Sequence, residues 1–159
     1  MNSQPVTAVP PTVERVGLRY ALMPVDGNGI AVAMVARMLD GDANGARARI
    51  LAPGEPIPYA VAPVLVADTT LHAAVRAQET LLRWGERPRP WLVLVADAPA
   101  RPVQDARYLI RGLGNRLAGV ARVPYLPVLR AVKGAEEALE YKDVRAAAEK
   151  LRAAMEKRS

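Results

Sequence analysis

Read from end to end, the chain alternates between short apolar runs and stretches with helical spacing. The least ambiguous run is Trp91 to Pro99, WLVLVADAP. It is apolar at consecutive positions, then meets an aspartate and a proline. Such a run suits a strand buried on both faces, as at the middle of a parallel sheet. Shorter candidate strands lie in Val13–Val25, at Ala48–Leu51, at Val64–Ala67 and at Gly119–Val123. In Val13–Val25 the strand is expected in the second half.

Between these runs the apolar residues recur every three or four positions. In Ile30–Leu39 the residues Ala31, Met34, Val35, Met38 and Leu39 share one helical face. A helix over Thr70–Trp84 is expected to turn Leu71, Ala74, Val75, Gln78 and Leu82 inward, with Asp68 or Thr69 as its cap. Val103–Leu117 carries Ala106, Leu109, Ile110, Leu113 and Leu117 at helical spacing, weakened by Gly112 and Gly114. A helical turn is expected at Val128–Val132. The last helix runs from Asp143, its expected cap, to about Lys157, with Val144, Ala147, Ala148, Leu151 and Met155 inward. Alternating strands and helices predict an α/β three-layer sandwich with a mostly parallel sheet. Residues 1–12 read as a flexible tail and 13–159 as one domain, a fitting size for 159 residues.

Composition narrows the chemistry. There is no cysteine, which removes thiolate nucleophiles, disulfides and Cys-ligated zinc, and points to a cytoplasmic setting. The one histidine, His72, rules out a His-rich metal site and reads as a surface or satisfied side chain. No run approaches the roughly 20 apolar residues of a membrane span, and the N-terminus lacks the pattern of a secretory signal. The net charge is +6. Arginine outnumbers lysine, and alanine and proline are frequent, as in proteins of high-GC bacteria. No catalytic residue, metal site or cofactor is expected.

Three groups of residues remain as candidates. Asp26, Gly27, Asn28 and Gly29 stand between a strand and a helix, where backbone N–H groups can cradle an anion; a tight turn would need the same glycines. Asp68 and Asp97 each follow a strand and could face a common crevice, or cap a helix or turn. Arg101, Arg107, Arg111, Arg116, Arg122, Arg130 and Lys133 are opposed in their span by Asp105 alone. Arg107 and Arg111 share a helical face. This is a surface for nucleic-acid phosphates, or simply a solvated basic face. With no phenylalanine in the chain, a base-stacking platform is not expected.

Taken in order, several pieces resemble the MinD/ParA family of deviant P-loop ATPases. VPYLPVLRAV, Val123–Val132, looks like that family's last strand and its IPYDP-type exit. AAAEKLRAAM is similar to its C-terminal helix, and Pro63–Trp84 to a family strand that runs into a T/S-rich turn and a helix. WLVLVAD takes the place of the next strand, and the resemblance spans most of residues 17–157. It implies a shortened P-loop NTPase-like fold. The family's phosphate loop reads GGxGKS/T. Here its lysine is replaced by Ile30, its magnesium-binding hydroxyl by Ala31, and Asp26 adds negative charge. The segment between the first helix and VLVAD also leaves little room for the family's switch strand. The resemblance therefore implies a pseudo-NTPase, not an enzyme. Such a protein would bind a protein partner, in DNA transfer or partition of a mobile element; the alternative is a nucleic-acid-binding accessory protein using the Arg101–Lys133 surface.

Overall fold

A computed structural model describes residues 17–26 and 29–157. The expected tail, 1–12, lies outside them, as do Gly27 and Asn28. Five strands form one sheet: β1 (Tyr20–Pro24), β2 (Ala48–Ile50), β3 (Ala62–Asp68), β4 (Trp91–Val95) and β5 (Gly119–Val123). The spatial order is β2-β1-β3-β4-β5, and every pairing is parallel. Among the described residues five helices accompany them: α1 (Gly29–Asp40), α2 (Leu71–Leu82), α3 (Gln104–Gly112), α4 (Ala135–Ala138) and α5 (Lys142–Glu156). The expected α/β three-layer sandwich is the observed architecture, with the sheet wholly parallel.

The period of two along each strand sorts its side chains onto two cores. Leu22, Val64, Val66, Trp91, Val93, Val95, Ala121 and Val123 face α1 and α5. Leu65, Ala67, Leu92, Leu94 and Val120 face α2 and α3. WLVLV is buried at all five positions because β3 and β5 flank it and helices cover both faces. It lies next to the central strand, β3.

The helices follow from what they cover. α1 is buried around most of its circumference, including Val32 and Ala36 beside the expected stripe. α5 buries Val144, Ala147, Ala148, Leu151 and Met155, the face that its periodicity marks. Arg152 Nη1 donates to the Met38 carbonyl at 2.7 Å and ties this helix to the end of α1.

α2 departs from expectation. Its buried residues are Ala73, Ala74, Ala77 and Leu81, while Leu71, Val75 and Leu82 are exposed. Three alanines let the helix sit close on the sheet, so the larger apolar side chains turn outward. The cap is Thr70, not Asp68 or Thr69: its Oγ1 accepts from Ala73 N at 3.0 Å. α3 ends at Gly112, and Gly114–Arg116 continues as one 3-10 turn, so the two glycines end the helix there. The expected turn at Val128–Val132 is a 3-10 turn at Pro127–Arg130. α5 starts one residue before Asp143, whose carboxylate accepts from its neighbour Val144 N at 3.0 Å instead of closing the helix end.

Candidate functional site

All five strands point their carboxyl ends the same way. From β1 the chain steps outward to β2, then returns past β1 to build β3, β4 and β5 on the other side. Ligands of such sheets bind beyond the carboxyl ends, where the order reverses. Here the reversal lies between β1 and β3, so Asp26 follows, and Asp68 ends, the two strands that border it. Two crevices open at this end, one toward each helical layer, and Asp68 lines both.

The crevice toward α1 is about 260 Å³. Ile30 and Ala31 line it from the start of α1; Asp68, Asp97 and Arg130 are its charged members. β1 ends at Pro24 and α1 begins at Gly29, so the strand-to-helix step expected at Asp26–Gly29 is present. Ile30, 42% exposed, presents an alkyl side chain at the start of α1. Ala31 is buried. The Asp26 carboxylate lies 4.0 Å from Nε2 of the exposed His72. That proximity of His72 to the loop has no counterpart in its sequence pattern, because it depends on how α2 is rotated.

Asp68 and Asp97 do border a common crevice, and each is also engaged by a neighbouring threonine. Asp68 Oδ1 accepts from Thr70 N at 2.9 Å and Thr70 Oγ1 at 2.6 Å. Asp97 Oδ1 accepts from the Thr69 hydroxyl, whose oxygen in turn accepts from Asp97 N at 3.3 Å. These bonds tie the loop after β3 to the loop after β4. Thr69 and Thr70 thus shape the site, a role that a reading centred on the aspartates missed. The TT pair following the strand was the available signal. Among the described residues, no three His, Asp or Glu side chains converge on a common point.

The second crevice, toward α2 and α3, is about 330 Å³. Arg101 enters it from the loop after β4, Arg107 and Arg111 from α3, and Arg122 from the edge strand β5. The basic span is therefore divided by the fold. Four arginines meet at this crevice, Arg130 lines the other one, and Arg116 is exposed on the 3-10 turn after α3. Lys133 stands apart, beside Glu136, Glu137 and Glu140. The Arg111 guanidinium lies 5.8 Å from the Tyr108 ring centroid, within cation–π range.

No protein-family model, no curated protein and no solved structure matches the chain. No helix among the described residues is long and apolar enough to cross a membrane.

Proposed function

We propose that the chain is a non-catalytic, P-loop-like accessory protein that acts by binding a protein partner, in DNA transfer or partition of a mobile element. The observation that carries this reading is the start of α1. Phosphoryl transfer needs a cation on the β- and γ-phosphates and a hydroxyl on magnesium; at this helix start stand Ile30 and Ala31, with Asp68 and Asp97 lining the same crevice. The resemblance to MinD/ParA proteins supports the reading, and Val64–Ala67, Trp91–Val95 and Gly119–Val123 lie side by side in chain order, as that resemblance implies. The outward Leu71, Val75 and Leu82 of α2 supply an apolar surface for a partner.

A magnesium-dependent ATP hydrolysis assay tests the reading, with Gly29→Asp as the control. A Cβ at Gly29 meets nothing within 4 Å, so the variant is expected to fold. Equal background rates are expected for both proteins. Hydrolysis lost in Gly29→Asp would replace the pseudo-enzyme with an active nucleotide switch.

A second reading, nucleic-acid binding, is favoured by the meeting of Arg101, Arg107, Arg111 and Arg122 at one crevice. Four phosphate contacts predict that duplex DNA affinity falls roughly a hundredfold between about 50 and 200 mM salt. Salt-independent or absent binding would count against it.

A further inference from the structure

We infer that the crevice between α3 and the carboxyl ends of β3, β4 and β5 is a binding site for a phosphomonoester that carries an apolar or planar body. The inference shares its arginines with the nucleic-acid reading and narrows it from a surface to a pocket.

Three observations converge on this chemistry. The first is charge. Arg101, Arg107, Arg111 and Arg122 line the crevice with one carboxylate, that of Asp68. Oδ1 of that carboxylate already accepts from the Thr70 N–H and hydroxyl. Among the described residues none of the four guanidiniums pairs with an acid. Guanidinium groups match the oxygens of a phosphate in paired, charge-assisted hydrogen bonds, and a terminal monoester offers three such oxygens and close to two negative charges.

The second is an unmet donor. Arg107 Nε is buried and has no hydrogen-bond partner. A buried donor without an acceptor is costly and calls for one. Nε itself touches no solvent, so an anion in this crevice would meet the terminal guanidinium nitrogens of Arg107, which lines it.

The third is shape. At about 330 Å³ the crevice falls at the small end of ligand pockets, which span roughly 300–1,000 Å³. Leu94, Ile110 and Val120 supply apolar wall beside the arginines. A flat backbone-binding surface would need no such wall. A phosphate joined to a nucleoside or a comparable body uses both parts of the lining. The shared ligand chemistry, a phosphomonoester, comes either from a free nucleotide or from the 5′-phosphorylated end of a nucleic-acid strand.

Calorimetric titration of the full chain tests this with four probes: AMP, inorganic phosphate, a 5′-phosphorylated four-nucleotide strand and the same strand with a 5′-hydroxyl. Saturable binding of AMP or of the phosphorylated strand, with the hydroxyl strand much weaker, is the expected result. Whichever of the two binds tighter identifies the source. Arg107→Ala and Arg122→Ala should each weaken that ligand roughly ten- to a hundredfold, the loss of a charge-assisted pair. Arg130→Ala, in the other crevice, should leave it unchanged. Arg122 is exposed on the edge strand, so its truncation preserves the fold even if Arg107→Ala does not. Equal binding of the two strands would overturn the pocket while leaving the basic-surface reading intact. Binding of no probe, inorganic phosphate as tight as AMP, or an Arg130→Ala loss equal to that of Arg122→Ala would each overturn the inference.

Discussion

Replacing Asp40 should unfasten one edge of the sheet, and the size of the loss follows from its hydrogen bonds. Asp40 is the last residue of α1 and is 2% exposed. Oδ2 accepts from Gly45 N at 2.7 Å, and Oδ1 from Arg47 N at 2.9 Å and Ala48 N at 3.1 Å. Ala48 begins β2, which has only three residues and pairs with β1 alone. A carboxylate at a helix C-terminus is disfavoured by the macrodipole by about 0.3–1 kcal/mol. Three charge-assisted bonds outweigh that. Asp40→Ala leaves the three N–H groups without their acceptor. The Ala48 N–H bond is buried, and the other two are partly buried. Water can reach the partly buried pair in part, so the net cost should be about 2–5 kcal/mol. Asp40→Asn keeps one acceptor oxygen but sets an NH2 group against an N–H donor, and should cost about 1–3 kcal/mol. Urea unfolding measures both losses, and an unchanged slope would show that the unfolded surface is the same. A loss below about 0.5 kcal/mol for Asp40→Ala would refute the claim that this carboxylate organises the loop from α1 to β2.

Two further stability predictions address the packing that positions the site. Leu151 is 1% exposed in the core under α5, so Leu151→Ala should cost roughly 2–5 kcal/mol; an unchanged melting temperature would mean that α5 is not held on the domain. Gly119 sits opposite Trp91, where an added Cβ would come within 2.5 Å of the indole ring. Gly119→Ala should therefore cost about 1–3 kcal/mol, and a melting curve that matches the parent would contradict the close approach.

The architecture was legible because Val64–Ala67 and Trp91–Val95 are uninterrupted apolar runs and the helices carry a separate period. WLVLV could not be a half-exposed strand, and α5 showed its inner face outright. The rotation of α2 was hidden because alanine is too small to dominate an apolar pattern. Leu71, Val75 and Leu82 outscore Ala73, Ala74 and Ala77 by size, yet close contact with the sheet selects the small side chains. Asp40 was hidden for another reason. As one of several polar residues in DGDANG it resembles any turn aspartate, and its three donors are brought to it only by the fold. The arginines were visible as a charged span. Their division between two crevices depends on α3 ending at Gly112 and on Arg122 facing the α3 layer from β5, which spacing alone does not reveal.

The central proposal is that the chain works by binding a partner without using a nucleoside triphosphate. It is tested most directly by calorimetric titration of the chain with ATP in the presence of magnesium. The helix N-terminus offers an anion about 0.3–1 kcal/mol, too little to hold a triphosphate without the absent cation. Any saturable heat, such as that from the arginine crevice, is expected to be unchanged by Gly29→Asp, and Ile30→Lys should leave the titration of ATP no weaker than in the parent. Micromolar ATP binding that is abolished by Gly29→Asp would contradict the account.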